Sequence, residues 1–216
     1  ITAMLGSLRL LQSNHVSDPR QHRQLVDLAV SNTQRLSRII NDILDIEKIE
    51  LGRMDYNLRP IDLRDLVNAN AVSNQGLFEG AGKLCLELPE RSVTVAGDAD
   101  RLHQVLTNLI SNARKFSPIE EDVTVTLSVT GGTAKISVAD RGIGIAEKDR
   151  CQVFQKFSQL HRASNRKQAG TGLGLAICKL LVEHHRGSID FSSAPGGMGT
   201  VFTVTLPLLE QKQAAA

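Results

Sequence analysis

Apolar positions in the first quarter of the chain recur at helical spacing. Ile1, Met4, Leu5, Leu8 and Leu11 step by threes and fours, the period that lines one face of an α-helix. A polar stretch, Ser13 to Ser17, breaks the pattern, and Asp18-Pro19 restarts it. Aspartate favours the N-cap, proline suits the first helical position, and Gln21 completes a capping box. Leu25, Leu28, Asn32, Leu36, Ile39, Ile43 and Ile46 then carry the helix to about Met54. Ile40 and Leu44 widen this seam beyond the narrow stripe of a two-stranded coil. The pattern predicts an antiparallel hairpin that covers its apolar face by pairing with a second copy into a four-helix bundle. A coiled-coil spacer is the alternative the hairpin alone leaves open.

Near Tyr56-Asn57 the helical pattern stops, and Pro60 forbids its easy continuation. A boundary here divides a helical hairpin of residues 1–56 from a domain over 57–209, with 210–216 as a tail. Within the second part, helix is expected at 62–80, strands at 83–88 and 92–96, and helix from Ala99 to Phe116. Strands follow at 122–130 and 133–140, joined by Gly131-Gly132, a hairpin signal. A short helix at 147–157, a polar stretch at 158–169 and a helix from Thr171 to His185 come next. Strands 188–193 and 200–206, around Pro195-Gly196-Gly197, close the chain. This order predicts an α+β fold, a mostly antiparallel sheet with helices on one face.

The chain has 216 residues with 41% apolar content, enough for one large core or two smaller ones. A net charge of +2 gives no reason to expect nucleic acid or a membrane surface as partner. Cys85, Cys151 and Cys178 form no C-x-x-C pair and read as reduced structural thiols. No apolar run reaches the ~18 residues of a membrane span, and no signal peptide is present. Ile1 is an implausible native start, and Ala214 to Ala216 read as an added tail. The expectation is a fragment of a longer protein.

Three stretches carry candidate chemistry. On the helix 99–116, Leu102, Val105, Leu106, Leu109, Ile110 and Ala113 make the core stripe, while Asn108, Asn112 and Lys115 project together from an adjacent one. Two amides and an ammonium can supply oxygens to a metal and charge to phosphates; a solvated helix face is the plain alternative. Asp140-Arg141-Gly142-Ile143-Gly144-Ile145 follows a predicted strand. Its carboxylate can accept from an adenine amino group, and its glycines let the backbone approach a flat base, with Ile145 to pack on it. An ordinary Asp-Gly turn is the alternative. Gly170-Thr171-Gly172-Leu173-Gly174-Leu175 opens a helix, where glycine amides and the helix dipole favour an anion. The preceding polar stretch holds His161, Arg162, Arg166 and Lys167, and reads as a lid or as a solvated loop.

Together these stretches resemble a known family. Asn108/Asn112/Lys115, the Asp140 turn, Val153-Phe154-Gln155-Lys156-Phe157, the Gly170 loop and Gly197-Met198-Gly199-Thr200 resemble, in order, the N, G1, F, G2 and G3 boxes of histidine kinases. Asn41-Asp42-Ile43-Leu44-Asp45-Ile46-Glu47-Lys48-Ile49-Glu50 looks like the second helix of their dimerisation and phosphotransfer domain. The resemblance covers essentially the whole chain. It implies a dimeric four-helix bundle followed by an α/β sandwich of the Bergerat type, which binds ATP or ADP with Mg2+.

It further implies that Asp140 binds adenine, that Phe116 and Ile145 line the base, and that Asn112 carries Mg2+. Asn108 and Lys115 would assist at the phosphates. The Gly142 and Gly144 turn and the Gly170, Thr171, Gly172, Leu173 and Gly174 amides would hold the nucleotide, with Thr200 near the Asp140 end. Phe154 and Phe157 would anchor the lid. His184-His185 reads as C-terminal capping, and neither His15 nor His22 is given a catalytic role. The partners implied are a second copy and a response-regulator receiver domain, in the cytoplasm, with a parent protein that can be anchored in the inner membrane.

ATPases that share the fold hydrolyse with a glutamate one turn before the metal-binding asparagine. Here that position is Asn108, whose amide cannot act as a base. A degenerate kinase serving as a non-catalytic nucleotide-binding scaffold, or an ATPase of the wider superfamily, remains the alternative. The second hairpin helix spans roughly 36 residues, or ~54 Å, and the first only about 13. The expectation is therefore that about 20 residues of first helix precede Ile1. Ile1-Thr2-Ala3-Met4 looks like the residues just after the H-box, which puts the phospho-acceptor histidine about six residues upstream. The expected behaviour of this piece is ATP binding without self-phosphorylation.

Overall fold

The computed structural model describes residues 2–12, 18–158, 171–194 and 197–209. They fall into two compact units, Ile1–Gly52 and Arg53–Ala216. The division lies a few residues before the expected one because Met54 is buried and Tyr56 and Asn57 are tied into the second unit.

The first unit is the hairpin of α1 (Thr2–Gln12) and α2 (Pro19–Glu50). The Asp18 carboxylate accepts from the Arg20 amide at 2.9 Å and Pro19 occupies the first turn, as expected, but no bond from Gln21 completes a capping box among the described residues. Leu25, Ala29, Leu36 and Ile39 are buried or half-buried, whereas Leu28, Ile40, Ile43 and Leu44 remain exposed. One side of the wide seam is covered and the other is open.

The second unit begins with β1 (Arg59–Asp62), α3 (Leu63–Asn74) and a 3₁₀ turn, Gln75–Phe78. Strands β2 (Leu84–Glu87) and β3 (Thr94–Gly97) precede α4 (Ala99–Phe116). The hairpin β4 (Val123–Thr130) and β5 (Thr133–Ala139) is followed by a 3₁₀ turn, Glu147–Gln152, then α5 (Gly174–His184) and strands β6 (Ser188–Ser193) and β7 (Thr200–Pro207). The main sheet runs β2-β4-β5-β7-β6, parallel between β2 and β4 and antiparallel elsewhere. Val123, Val125, Leu127, Ala134, Ile136, Val138, Phe202, Val204 and Leu206 point alternately into the core. α3, α4 and α5 pack in a row beside the sheet.

A second, two-stranded sheet pairs β1 with β3 in antiparallel register. β1 was not expected from the sequence. On its other side β3 meets residues 208–209: Leu209 donates to the Thr94 carbonyl at 2.9 Å and Leu208 bridges Val95. Deep between α3 and α4, the Asn70 amide donates to Thr107 Oγ1 at 2.9 Å and to the His103 carbonyl at 3.0 Å. A satisfied buried polar network of this kind fixes how two helices register.

Candidate functional site

α4 is the floor of the candidate site. Its N-cap, Asp98, accepts from the Asp100 and Arg101 amides at 3.0 and 3.2 Å, and its core stripe is the one the sequence pattern predicts. That packing turns Asn108, Asn112 and Lys115 onto the neighbouring face, where all three are half-buried. Lys115 Nζ stands 4.7 Å over the Phe116 ring, which closes the helix and is 40% exposed.

Asp140 follows β5 and is only 6% exposed. Its Oδ1 accepts from the Gly142 amide at 2.8 Å and from the Thr200 amide at 3.1 Å. Oδ2 has no donor among the described residues. Burial pushes the carboxyl up from its ordinary range, and the Gly142 and Thr200 amides offset only part of that rise. Two glycines make the turn possible. A Cβ at Gly142 would run into the Phe116 carbonyl, and one at Gly199 into the Asp140 carbonyl. Three segments (the end of α4, the Asp140 turn and the start of β7) thus meet backbone to backbone. Gly144 packs against Gly199, Ile145 is half-buried beside it in sequence, and Thr200 is buried.

The other end of the site is the start of α5. Gly174 sits against α4, where a Cβ would be 3.6 Å from Asn108 Oδ1. The N-cap residue of α5, Leu173, supplies no capping side chain, and Thr171 Oγ1 accepts from the Leu173 amide at 3.1 Å. Leu173 itself is fully buried, so its side chain belongs to the core. Gly172 has φ +73 and touches the backbone of Phe157 and Ser158. Phe154 packs on Phe191 and Phe202, with ring centroids 6.2 and 6.3 Å away, whereas Phe157 is exposed. Gly170, His161, Arg162, Arg166 and Lys167 lie outside the described residues. The sequence-selected residues that can be described therefore divide between an Asp140 end and an α5 end, joined by α4.

Several supporting residues escaped the sequence reading. His185 Nδ1 lies 2.7 Å from the Leu181 carbonyl, in keeping with a capping role, but Nε2 accepts from the Asp98 amide at 2.9 Å. The ring is therefore neutral with its proton on Nδ1, and it ties the end of α5 to the start of α4. Tyr56 stacks on His184 at 4.6 Å, and the Asn57 amide donates to Asp98 Oδ2 at 2.9 Å. Gly199 belonged to a recognised box, and only the close approach to Asp140 shows what it does.

Residues 97–210 match the family described as histidine kinase-, DNA gyrase B-, and HSP90-like ATPase, and residues 1–52 match the His Kinase A (phospho-acceptor) domain. The chain is 38% identical over 190 residues to the circadian input-output histidine kinase CikA of Synechococcus elongatus, covering 87% of this chain and 25% of that protein. It is 34% identical to the sensor protein EvgS of Escherichia coli K12, covering all of this chain and 18% of that one. It thus spans a quarter or less of these relatives. Full-length ShkA, solved in complex with AMPPNP, superposes with a TM-score of 0.75 at 28% identity, over 97% of this chain and 43% of that one. The histidine kinase ThkA, solved with the response regulator TrrA, shares the fold at a TM-score of 0.76 and 22% identity, over 98% of this chain and 58% of that one. A phospho-acceptor-type hairpin followed by an ATPase-type domain is the order in which the two family models match, and the chain belongs to the histidine kinase-, DNA gyrase B- and HSP90-like ATPase family, as a histidine kinase catalytic core.

Proposed function

We propose that the second unit binds Mg2+-ATP with its adenine at the Asp140 end, and that the parent protein passes the γ-phosphoryl to a histidine on the hairpin and then to a response-regulator aspartate. One observation carries the reading of the site. A buried carboxylate has one oxygen held by two backbone amides while the other has no donor among the described residues. An exocyclic amino group is the donor that fits, and Phe116 and Ile145 offer apolar surface for a base. Two features support a nucleotide: the close glycine contacts that shape the Asp140 turn, and the start of α5, whose N-cap residue Leu173 supplies no capping side chain.

Asn112 would hold Mg2+ through its amide oxygen, with Asn108 and Lys115 orienting the phosphates and the Gly170–Gly174 amides receiving them. The metal supplies charge neutralisation at the phosphates when bound. The chain's own share is to bind, orient and exclude water. The lid is assigned to Phe154, Phe157 and the basic residues His161, Arg162, Arg166 and Lys167. Hydrolysis is disfavoured because Asn108 stands where a base would be needed. The open side of α2 supports a homodimer through the hairpin, which is also the proposed docking element for the receiver domain.

Asp140→Ala tests the adenine assignment. Loss of a hydrogen bond to a charged group costs ~1.5–3 kcal/mol, so ATP and ADP should both bind roughly ten- to a hundred-fold more weakly by calorimetry. An unchanged dissociation constant removes the assignment. The pH dependence follows in sign. The ionised carboxylate is the better acceptor, and its proton is held up to a raised pKa. Affinity should therefore fall on acidification sooner than an ordinary aspartate's 3.8 would allow, and Asp140→Asn should flatten that limb.

A further inference from the structure

Arg114 lies on α4 next to the polar stripe, yet it faces away from the proposed nucleotide. Its Nη1 donates to the Glu121 carbonyl at 2.7 Å, and its Nη2 donates to the carbonyls of Ser117, at 3.3 Å, and Pro118. The guanidinium also stands 5.8 Å from the Phe78 ring centroid. A helix C-terminus leaves carbonyls without partners, and here one side chain collects those of the turn that follows.

That turn borders the Asp140 segment on two sides. Phe116, immediately before it, presses its carbonyl against Gly142. Glu121, at its far end, forms a 3.4 Å ion pair with Arg141, the residue between Asp140 and Gly142. The pair is exposed and contributes little by itself, but it places the 117–121 turn beside the Asp140 turn. The outer side is held separately, by the Gly82 amide on the Ile119 carbonyl at 2.7 Å.

We propose that Arg114 is a positioning residue for the nucleotide site: by locking the 117–121 turn onto the end of α4, it fixes the close contact between Phe116 and the Asp140–Gly142 turn. Arg114 matters to binding only if the base lies against Asp140 and Phe116, as proposed above. It touches no part of the nucleotide. A planar five-donor fork reaches several carbonyls at once, which an ammonium cannot do in the same fixed geometry.

The test compares Arg114→Ala, Arg114→Lys and Asp140→Ala with the parent chain. Titration calorimetry is run with ADP in chelator and with ATP plus Mg2+, at a temperature where melting curves show every variant folded. Arg114→Ala should weaken both nucleotides by the same factor, roughly five- to tenfold, the scale of one ordinary hydrogen bond. The gain in affinity on adding Mg2+ should stay as in the parent, and Arg114→Lys should fall between. A purely structural role would lower the melting temperature and leave the affinity of the folded protein untouched; that result overturns the proposal. A loss confined to the Mg2+-dependent part overturns it too, since it would move Arg114 to the phosphate end. Should the alanine variant not fold, Arg114→Gln replaces it, and parental ADP affinity there is equally decisive. If Asp140→Ala also binds like the parent, the adenine reading itself falls; if only Arg114→Ala does, only the role of Arg114 falls.

Discussion

The hairpin and the α/β unit solve the same burial problem in opposite ways. In the α/β unit, alternating positions on five strands face the stripes of three helices, and residues such as Leu63, Leu109, Ile177 and Leu181 have no exposed surface. In the hairpin, a 32-residue helix buries Ala29, Ile46 and Ile49, yet leaves Leu28, Ile40, Ile43 and Leu44 between 38 and 49% exposed. An amphipathic helix gains most of its stability from what covers its apolar face. The α/β unit thus buries its apolar stripes within one copy of the chain, whereas the hairpin leaves a stripe open that the proposed second copy would cover. Nucleotide binding should accordingly be indifferent to protein concentration, and helix content in the hairpin should not be.

The sharpest way to separate the two is Leu109→Ala. Removing a fully buried leucine side chain costs ~2–5 kcal/mol. The α/β melting transition should drop while the dimer persists in ultracentrifugation; loss of both together would make the units interdependent. Ile43→Asp is the converse. A charge on the open stripe should weaken dimerisation at least about a hundred-fold, near 2.7 kcal/mol, with ADP affinity unchanged. A parental dimer in that variant would mean that another surface joins the copies.

A smaller effect concerns the helix cap. Asp98→Ala should cost the α/β unit ~1–2 kcal/mol, the usual worth of a strong N-cap, and leave the hairpin alone. Burial tends to raise the Asp98 pKa, but the Asn57, Arg101 and Asp100 amides and the Arg101 charge outweigh it, so the folded value lies below the ordinary 3.8. Its contribution is therefore complete above 3.8 and disappears as pH falls through the lowered value. Acid melts of the parent and the variant should converge at the bottom of that range; parallel curves would assign the loss to packing.

What the sequence revealed follows from range. The six core positions of α4 were legible because they repeat within one helix, and Gly131-Gly132 because both residues adopt the positive φ that such a hairpin turn needs, +57 and +75. β1 was not legible: four residues with Pro60 among them carry no alternation, and the strand exists because β3 pairs with it. The helix expected over 62–80 ends at Asn74, and a 3₁₀ turn containing Gly76 takes over. The segment expected as helix from 147 winds as 3₁₀ over Glu147–Gln152. At the site, the boxes announced Asp140, Asn108 and Asn112. The link between His185 and Asp98 joins residues 87 positions apart, and Arg114 acts on loop carbonyls, which leave no mark on side-chain identity.

The short strand β3 has one last consequence. Its two neighbours are the first strand of the α/β unit and residues 208–209, the last ones described. Strands flanking a common neighbour lie about 10 Å apart, and both are antiparallel to β3, so this one short strand clasps the beginning of the unit and residues 208–209 together.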